Sequence, residues 1–387
     1  MKIVEVDTHL LEDSFVAINA QLNKGNPNYI RPLNKEVAEV FDPIKNKLFQ
    51  QGNAKRWLVQ NEQGETIGRI AAFYYSSYKN KGTEYPVGCV GFFDCINDFA
   101  TAKLLLDTAK AWLFANGMQA MDGPINFGER DKWWGLLVEG FHEPLYGMNY
   151  NPPYYQQLFE AYGFQPYFHQ HCYALSVDNK LQDKFYQRHA EISLDKSYKA
   201  IHMKKRALEK YAKDFTIIYN KAWASHGGGK ELEEKQVVKL FKTMKPVMDE
   251  RLNWFIYHND EPIAFWINLP DLNQWFKKMN GHFSLLYKLY FLFLKMFATN
   301  NRFVGLVFGI VPAYQGKGID AFMIVEGAEF IKQHAKNYTD FEMQWIGDFN
   351  PKMINIAESL GTHRSRILST YRFLFDSTKP FVRHKTI

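Results

Sequence analysis

The sequence has 387 residues, a length that at roughly 150 residues per domain predicts two domains. Hydrophobic residues make up 46% and charged residues 23%, a balance that excludes a disordered, collagen-like or low-complexity chain. The formal net charge of +6 favours acidic partners without naming one, and the aromatic share of 16% supplies large side chains for a core, for pockets and for interfaces.

The first residues, MKIVEVD, are predicted to form a strand. They contain no long apolar run and no small-residue cleavage site, so they differ from a signal peptide. The three cysteines are too few for a disulfide framework, which favours a reducing compartment. We therefore expect a cytoplasmic protein.

Two strand–turn–strand units recur along the chain, and each begins with a tryptophan, Trp57 or Trp254. Their strands are expected over 56–60, 66–75, 253–257 and 263–269. Strands and helices alternate throughout, which predicts an α/β or α+β fold.

A second pair of similar segments covers 151–163 and 350–361. Each opens with Asn-Pro, a helix cap followed by proline at the first helical position, and each ends at glycine. Because both pairs recur in the same order, we predict an internal duplication, with one domain over 1–180 and a second over 181–387.

The two copies differ by an insertion at 122–150, DGPINFGERDKWWGLLVEGFHEPLYGMNY. Long irregular segments inside compact domains are usually functional, and this one is too aromatic to be disordered. We expect it to form one wall of a site. The candidate residues for a substrate pocket are Asn126, Arg130, Trp133, Trp134, Tyr150 and Tyr154. For the two tryptophans, a place in the core is the alternative.

The segment 196–213 is predicted to form a helix with seven lysines or arginines and one glutamate. It is interpreted either as a solvated basic face or as a docking surface. Its partner would be an acyl carrier protein, anionic phospholipid or, as the weakest alternative, nucleic acid.

The most apolar stretch, FSLLYKLYFLFLKMFA over 283–298, is predicted to form a helix too short to span a bilayer. Lys288 and Lys295 are seven residues apart and share one stripe of this helix. Two interpretations stand. The helix is buried with its lysines reaching to solvent, or it lies in a membrane interface or lines a lipid tunnel. The second would make the protein peripheral at the inner face of the cell membrane.

A predicted strand ending at Val311 leads through the turn 312–318 into a helix over 319–335. A glycine-rich turn before a helix presents unpaired N–H groups and the positive end of the helix dipole, which together bind anions such as pyrophosphate. An ordinary strand-to-helix turn is the alternative. The spacing does not fit a P-loop.

The segment VPAYQGKGI at 311–319 resembles the acyl-CoA-binding segment of the GNAT acyltransferase superfamily, and 350–353 resembles that family's next motif. The resemblance implies two tandem GNAT-like domains, each a twisted mixed sheet flanked by helices. It implies an acyl-CoA co-substrate and no metal. The implied donor-binding residues are Val311, Gln315, Gly316, Lys317, Gly318 and Asn350. Asp320 replaces a glycine or alanine of the pattern, so acyl carrier protein is a second candidate donor.

The segments 123–126, 135–141 and 150–155 also resemble a family of tandem-GNAT proteins, some of which are linked to bacterial ceramide synthesis. This resemblance implies an N-acyltransferase that moves a fatty acyl group from a thioester to an amine, such as a sphingoid base. The alternatives are a soluble acetyltransferase for small amines and a non-catalytic protein that binds lipid or acyl carrier.

Such a reaction needs a base for the ammonium, a group that stabilises the oxyanion and an acid for the leaving thiolate. Candidates for catalysis are Glu129, Asp131, Glu342 and Tyr371, with Arg130 or backbone N–H groups at the oxyanion. A surface charge or a core tyrosine is the alternative for each.

Two further patterns carry less weight. His169, His171 and Cys172 lack a nearby fourth ligand, so no metal site is expected there. The run HGGG at 226–229 is typical of lipase oxyanion loops, but the chain contains no G-x-S-x-G, and we predict a flexible loop.

Overall fold

The computed structural model describes residues 1–80, 82–223 and 231–386. The strands are β1 (Lys2–Glu5), β2 (Gly52–Gln60), β3 (Thr66–Tyr75), β4 (Val87–Cys95), β5 (Ala120–Gly123), β6 (Leu136–Glu139), β7 (Gln165–Ser176), β8 (Tyr198–His202), β9 (Trp254–His258), β10 (Glu261–Pro270), β11 (Arg302–Ile310), β12 (Asp340–Met343), β13 (Ile346–Gly347) and β14 (His363–Leu374). The α-helices are α1 (His9–Leu22), α2 (Asn34–Val40), α3 (Phe99–Ala115), α4 (Tyr154–Tyr162), α5 (Asp183–Ser193), α6 (Leu208–Trp223), α7 (Glu234–Met244), α8 (Asn273–Phe276), α9 (Leu285–Phe297), α10 (Ile319–His334) and α11 (Pro351–Ser359).

All the strands of the described ranges join in one mixed sheet. Its order is β1-β2-β3-β4-β5-β14-β7-β12-β11-β10-β9-β8, with β6 added beside β14 and β13 beside β7. The predicted fold class, α/β with a twisted mixed sheet flanked by helices, is confirmed.

The final strands of the two halves are exchanged. β14, the last strand of the chain, pairs with β5 of the first half, whereas β7 of the first half pairs with β12 of the second. β7 and β14 pair with each other along most of their length. The domain boundary that the sequence predicts near residue 180 stays a prediction, because one sheet contains the strands on both sides of it.

Helices cover both faces of the sheet in each half. In the first half, α3 packs Leu105 and Leu106 into a core with Phe159 of α4. In the second half, α10 contributes Met323 to one core, and α6 contributes Phe215 to the core on the other face. This packing on both faces holds the strands, and the loops that connect them, in fixed positions.

The predicted helix over 196–213 is wrong in its first part. The segment forms the edge strand β8, then a 3₁₀ turn at Lys205–Ala207, and becomes helical only at Leu208. Tyr198 and Ala200 alternate inward on β8 and pack with the core beneath α10. Every second side chain of this segment is partly buried, and its backbone pairs with β9. These two features favour a strand more than the local sequence favours a helix.

The helix predicted at 283–298 forms as α9, but its interpretation as a buried helix is wrong. Of its 13 residues, only Phe291 and Leu294 are buried. None of the helices described is long and apolar enough to cross a bilayer.

Candidate active site

A large, mainly apolar cleft lies where two parallel strands of the second half diverge. β11 and β12 pair from Arg302–Asp340 to Gly305–Met343 and then separate, because the chain after β12 moves across to pair with β7. A cavity of about 760 Å³ fills this opening. Its lining is mainly hydrophobic and comes from β11, β12, α10 and α11, including Leu306, Phe308, Ile324, Ala328, Met343 and Met353.

A β-bulge marks the point of divergence. On the side facing β10, Ile267 pairs with Val307 and Asn268 with Gly305, so Leu306 has no partner in that ladder. Past Gly305, no β12 residue pairs with β11 in the described part of the chain. Beyond Gly305, the backbone N–H and C=O groups of β11 that line the cleft are therefore not part of the β11–β12 ladder. An N–H group at such a position can stabilise a developing oxyanion.

The predicted donor loop follows directly from β11. Gly316 and Gly318 have φ angles of +72° and +83°, in the left-handed region that favours glycine. Gly318 precedes the 16-residue helix α10 as its N-cap. A Cβ at this position would lie 3.2 Å from Ile192 of α5, so space as well as backbone conformation favours glycine. The loop thus leads directly into the amino terminus of a long helix, where backbone N–H groups can bind an anion.

Three charged side chains surround this helix terminus. Lys317 is exposed, with its ammonium 5.6 Å from the ring of Tyr314. Arg188 of α5 is exposed and passes within 3.6 Å of the Cβ position of Gly318. Asp320 lies in the first helical turn. Two cations therefore accompany one carboxylate where the sequence predicts a phosphate-bearing donor.

The remaining predicted donor residues fix the geometry of the loop and cleft. Val311 is buried, and the side-chain amide of Gln315 donates a 3.0 Å hydrogen bond to the carbonyl of Ile310. Asn350 lines the cavity and caps α11 by accepting a 3.3 Å hydrogen bond from the backbone N–H of Met353. The amino terminus of α11 therefore lies at the cleft.

The equivalent opening in the first half is filled. β4 and β5 diverge after Cys89–Asp122, but the N–H of Ile125 donates to the carbonyl of Val90 inside the gap. A Cβ at Gly91 would lie 1.8 Å from the carbonyl oxygen of Ile125. The helix that follows β4 is capped by Asp98, whose carboxylate already occupies the anion position. Among the described residues, only the second half keeps this opening free.

The insertion 122–150 packs into the first half and sends one charged side chain to the cleft. Its strand β6 pairs with β14, and Asn126, Trp133 and Trp134 are buried. Arg130 lines the cleft, lies 5.3 Å from the ring of Trp134 and donates a 3.1 Å hydrogen bond to Asn80.

The other predicted pocket residues lie elsewhere. Trp133 and Tyr150 border a separate cavity of about 60 Å³. The hydroxyl of Tyr154 donates to the carbonyl of Cys95, and Trp134 packs in the core with Phe127. The structure thus brings Arg130 alone among the six predicted pocket residues to the large cleft.

The predicted catalytic carboxylates occupy different environments. Glu129 and Asp131 are exposed on either side of Arg130. Glu342 is buried and lies on the opposite face of β12 from Phe341 and Met343, which line the cleft. Glu342 is therefore separated from the cleft by its own strand.

Glu342 forms an ion-pair network with residues of neighbouring strands. Its carboxylate lies 2.8 Å from Arg366 and 3.6 Å from Arg302, and Ser365 donates a 2.7 Å hydrogen bond to it. Burial raises the pKa of this carboxyl, but Arg366, Ser365 and Arg302 outweigh that effect and lower it. Glu342 is held ionised as part of the sheet.

Tyr371 lies in the first-half core because β14 is exchanged. Its hydroxyl donates a 3.0 Å hydrogen bond to Glu160, and its ring centroid is 6.0 Å from that of Phe159. Burial and the neighbouring carboxylate raise the pKa of Tyr371. The structure does not bring this tyrosine to the cleft.

Two cleft residues escaped sequence reasoning. Gln344 follows β12 directly, and its backbone N–H donates to the carbonyl of Gly305. Its side-chain Oε1 is buried without a hydrogen-bond partner, although the residue lines the cleft. Trp345 also lines the cleft and donates its indole N–H to the carbonyl of Arg130. The only available signal was their position immediately after the strand beside the donor loop.

Two weaker sequence patterns remain. Among the described residues, no group of three or more His, Cys, Asp or Glu side chains could hold a metal ion. Nδ1 of His169 lies 2.7 Å from the hydroxyl of Ser369. The HGGG run at 226–229 lies outside the described residues.

Comparison with known proteins agrees with this geometry. No protein-family model matches the chain. It is similar to a bacterial ceramide synthase of Caulobacter vibrioides, with 26% identity over 386 residues and 96% of each chain covered. It is also 24% identical over 363 residues to Protein YghO of Escherichia coli, covering 90% of this chain and 89% of the relative.

Among solved structures, a tandem GNAT protein from the clavulanic acid biosynthesis pathway matches with a TM-score of 0.55 at 9% identity. The match covers 98% of this chain and 99% of that one. The fold of this chain is GNAT-like. A glucosamine N-acetyltransferase region of a fungal β-N-acetylglucosaminidase matches this GNAT-like chain equally well, over 96% of this chain and 38% of that one. The predicted fold is confirmed, and the similarity to a protein named ceramide synthase agrees with the predicted relationship.

Proposed function

We propose that this GNAT-like protein is an N-acyltransferase that moves a long acyl chain from a thioester to the amine of a lipid, a sphingoid base being the leading candidate. One observation carries the proposal: a hydrophobic cavity of about 760 Å³ opens between β11 and β12, and its α10 wall belongs to the helix that follows the glycine loop. An acetyl group alone does not require an apolar space of this size.

The reaction assigns separate tasks to the two ends of this arrangement. The free amine attacks the thioester carbonyl, a C–N bond forms, and the C–S bond breaks to release a thiol. The β11 backbone at the Leu306 bulge supplies N–H groups for the oxyanion, and Arg130 adds positive charge at the cleft. Glu129 and Asp131, beside Arg130, are the carboxylates available to take the ammonium proton.

The donor is proposed to carry a phosphate at the loop 315–318. Both acyl-CoA and the phosphopantetheine arm of an acyl carrier protein meet this requirement. Lys317 and Arg188 favour a phosphate there, whereas Asp320 opposes the closely spaced charges of a pyrophosphate. The carrier-protein donor therefore remains a specific alternative to acyl-CoA.

The lipid amine is suggested by the relative from Caulobacter vibrioides, which is named a ceramide synthase and aligns over 96% of both chains. Gln344 lines this mainly apolar cleft, and its buried side-chain Oε1, which has no hydrogen-bond partner, is a candidate acceptor for an amine or its amide product.

The test is a turnover assay with four mixtures. Purified protein is incubated with palmitoyl-CoA or palmitoyl-carrier protein and a sphingoid base, or with acetyl-CoA and either the sphingoid base or a small amine, and N-acyl products are measured by mass spectrometry. Product with a palmitoyl donor and a sphingoid base supports the proposal and identifies the donor. Product only with acetyl-CoA and the small amine contradicts it. No product from any mixture, together with lipid that co-purifies with the folded protein, would favour a non-catalytic binding protein.

A further inference from the structure

The outward face of α9 is unusually hydrophobic. Eight of its 13 side chains are large, apolar or aromatic and exposed, with exposed fractions from 39% for Tyr290 to 76% for Leu286. They are Leu285, Leu286, Leu289, Tyr290, Leu292, Phe293, Met296 and Phe297. Such a concentration on one helix marks an interaction surface rather than scattered surface residues.

A narrow stripe anchors α9 firmly to the protein. Phe291 and Leu294 pack into a cluster with Trp275 and Phe276, and the ring of Phe291 lies 5.7 Å from that of Trp275. Leu33 from the first half belongs to the same cluster. The exposed face therefore belongs to a helix fixed against both halves, and it does not line the acyl cleft.

The chain segment that contains this face is rich in positive charge. From Leu272 to Ile319 the chain contains no aspartate or glutamate, but it contains six cations: Lys277, Lys278, Lys288, Lys295, Arg302 and Lys317. Lys278 and Lys288 are exposed, and the ammonium of Lys288 lies 5.8 Å from the ring of Phe283. A cationic rim complements an anionic lipid surface, whereas a second copy of this chain would bring like charges together.

A polar cavity of about 810 Å³ continues from the carboxyl end of α9. Met296 and Phe297 border it together with Lys205 and Lys295. Trp275, whose buried indole N–H has no hydrogen-bond partner, also lines it. Apolar contacts beside two ammonium groups suit the junction between acyl chains and phosphate headgroups.

The carboxylates near α9 are engaged in pairs of their own, and Lys277 and Arg302 belong to those pairs. Asp249 lies 2.6 Å from Arg251 in an ion pair, and Glu250 accepts a hydrogen bond from the backbone N–H of Lys205. Glu143 is paired with Lys277 at 3.1 Å. The charge balance beside α9 therefore stays positive.

We propose that α9 docks the protein on an anionic phospholipid bilayer, lying in the interface with its exposed face among the acyl chains. A 13-residue helix is about 20 Å long, too short to cross a hydrocarbon core of about 30 Å, so it lies along the surface. This docking does not depend on the proposed acyl transfer, although it would place the enzyme where a lipid amine resides.

Vesicle flotation without any acyl donor tests the docking. Wild-type protein is mixed with vesicles of pure phosphatidylcholine or of phosphatidylcholine with 30% phosphatidylglycerol. The double variant L289E/F293E changes two residues that are 59% and 55% exposed, one helical turn apart. The control L10E/I44E introduces the same charges at residues that are 76% and 93% exposed elsewhere.

The wild type and the control should bind the anionic vesicles at least tenfold more strongly than L289E/F293E does. Their binding should also weaken at least tenfold on pure phosphatidylcholine. Equal flotation of L289E/F293E and the wild type overturns the proposal, as does a wild type that ignores anionic vesicles. Sedimentation without vesicles is run in parallel: a wild-type dimer that becomes monomeric in L289E/F293E would assign the face to a second copy instead.

Discussion

Replacing Gly318 by valine should weaken donor binding while leaving the protein folded. A residue other than glycine at φ +83° costs about 1–3 kcal/mol, and the added side chain would press on Ile192, 3.2 Å from the Cβ position. The loop would relieve this strain by rotating N–H groups away from the donor phosphate. Each lost hydrogen bond to a charged group contributes about 1.5–3 kcal/mol, which corresponds to about a 10- to 150-fold fall in kcat/KM for the donor.

A matched glycine separates this effect from general destabilisation. Gly64 has φ +79°, lies in the turn between β2 and β3, and has no atom within 4 Å of its Cβ position. Its replacement by valine should lower the free energy of unfolding by a similar 1–3 kcal/mol at about the same φ. Stability is measured by denaturant unfolding, and kcat/KM with varied donor at saturating amine. Equal kcat/KM for Gly318→Val and Gly64→Val would refute the assignment of the donor loop.

Three further changes probe the cleft and its surroundings. Ala328→Trp adds bulk to the α10 wall and should shift chain-length preference toward shorter acyl donors, measured by competition among donors; an unchanged preference would place the chain elsewhere. Glu342→Gln should cost about 3–5 kcal/mol because Arg366 loses its buried partner. Since folding lowers the pKa of Glu342, its ionised form stabilises the protein at neutral pH, and this contribution is lost as the pH falls through that lowered pKa; acid unfolding curves of the two proteins should therefore converge at low pH. Tyr371→Phe should cost about 1 kcal/mol of stability through the bond to Glu160 and leave kcat within about twofold; a large loss of kcat at unchanged stability would restore Tyr371 as a catalytic acid.

Whether a feature could be predicted from the sequence depends on how far apart along the chain its interacting residues lie. The glycine loop between β11 and α10 was predictable because strand, glycine turn and helix are contiguous and each glycine has a local conformational reason. The filled opening of the first half was not, since Ile125 enters the gap beside β4 from a segment some thirty residues further along the chain. Gln344 was missed because its unpartnered oxygen becomes evident only when the neighbouring strands are in place.

The sequence by itself predicted the duplication, the GNAT-like fold and the glycine loop before α10, because local spacing and turn chemistry indicate them. Only the tertiary structure decided that β7 and β14 exchange, that Tyr371 therefore lies in the first-half core, and that Arg366 neutralises Glu342. It also decided that α9 is exposed. Because α9 is apolar on nearly every side, its sequence has no periodic pattern that indicates which face is buried. Packing against Trp275 and Phe276 decides which face this is.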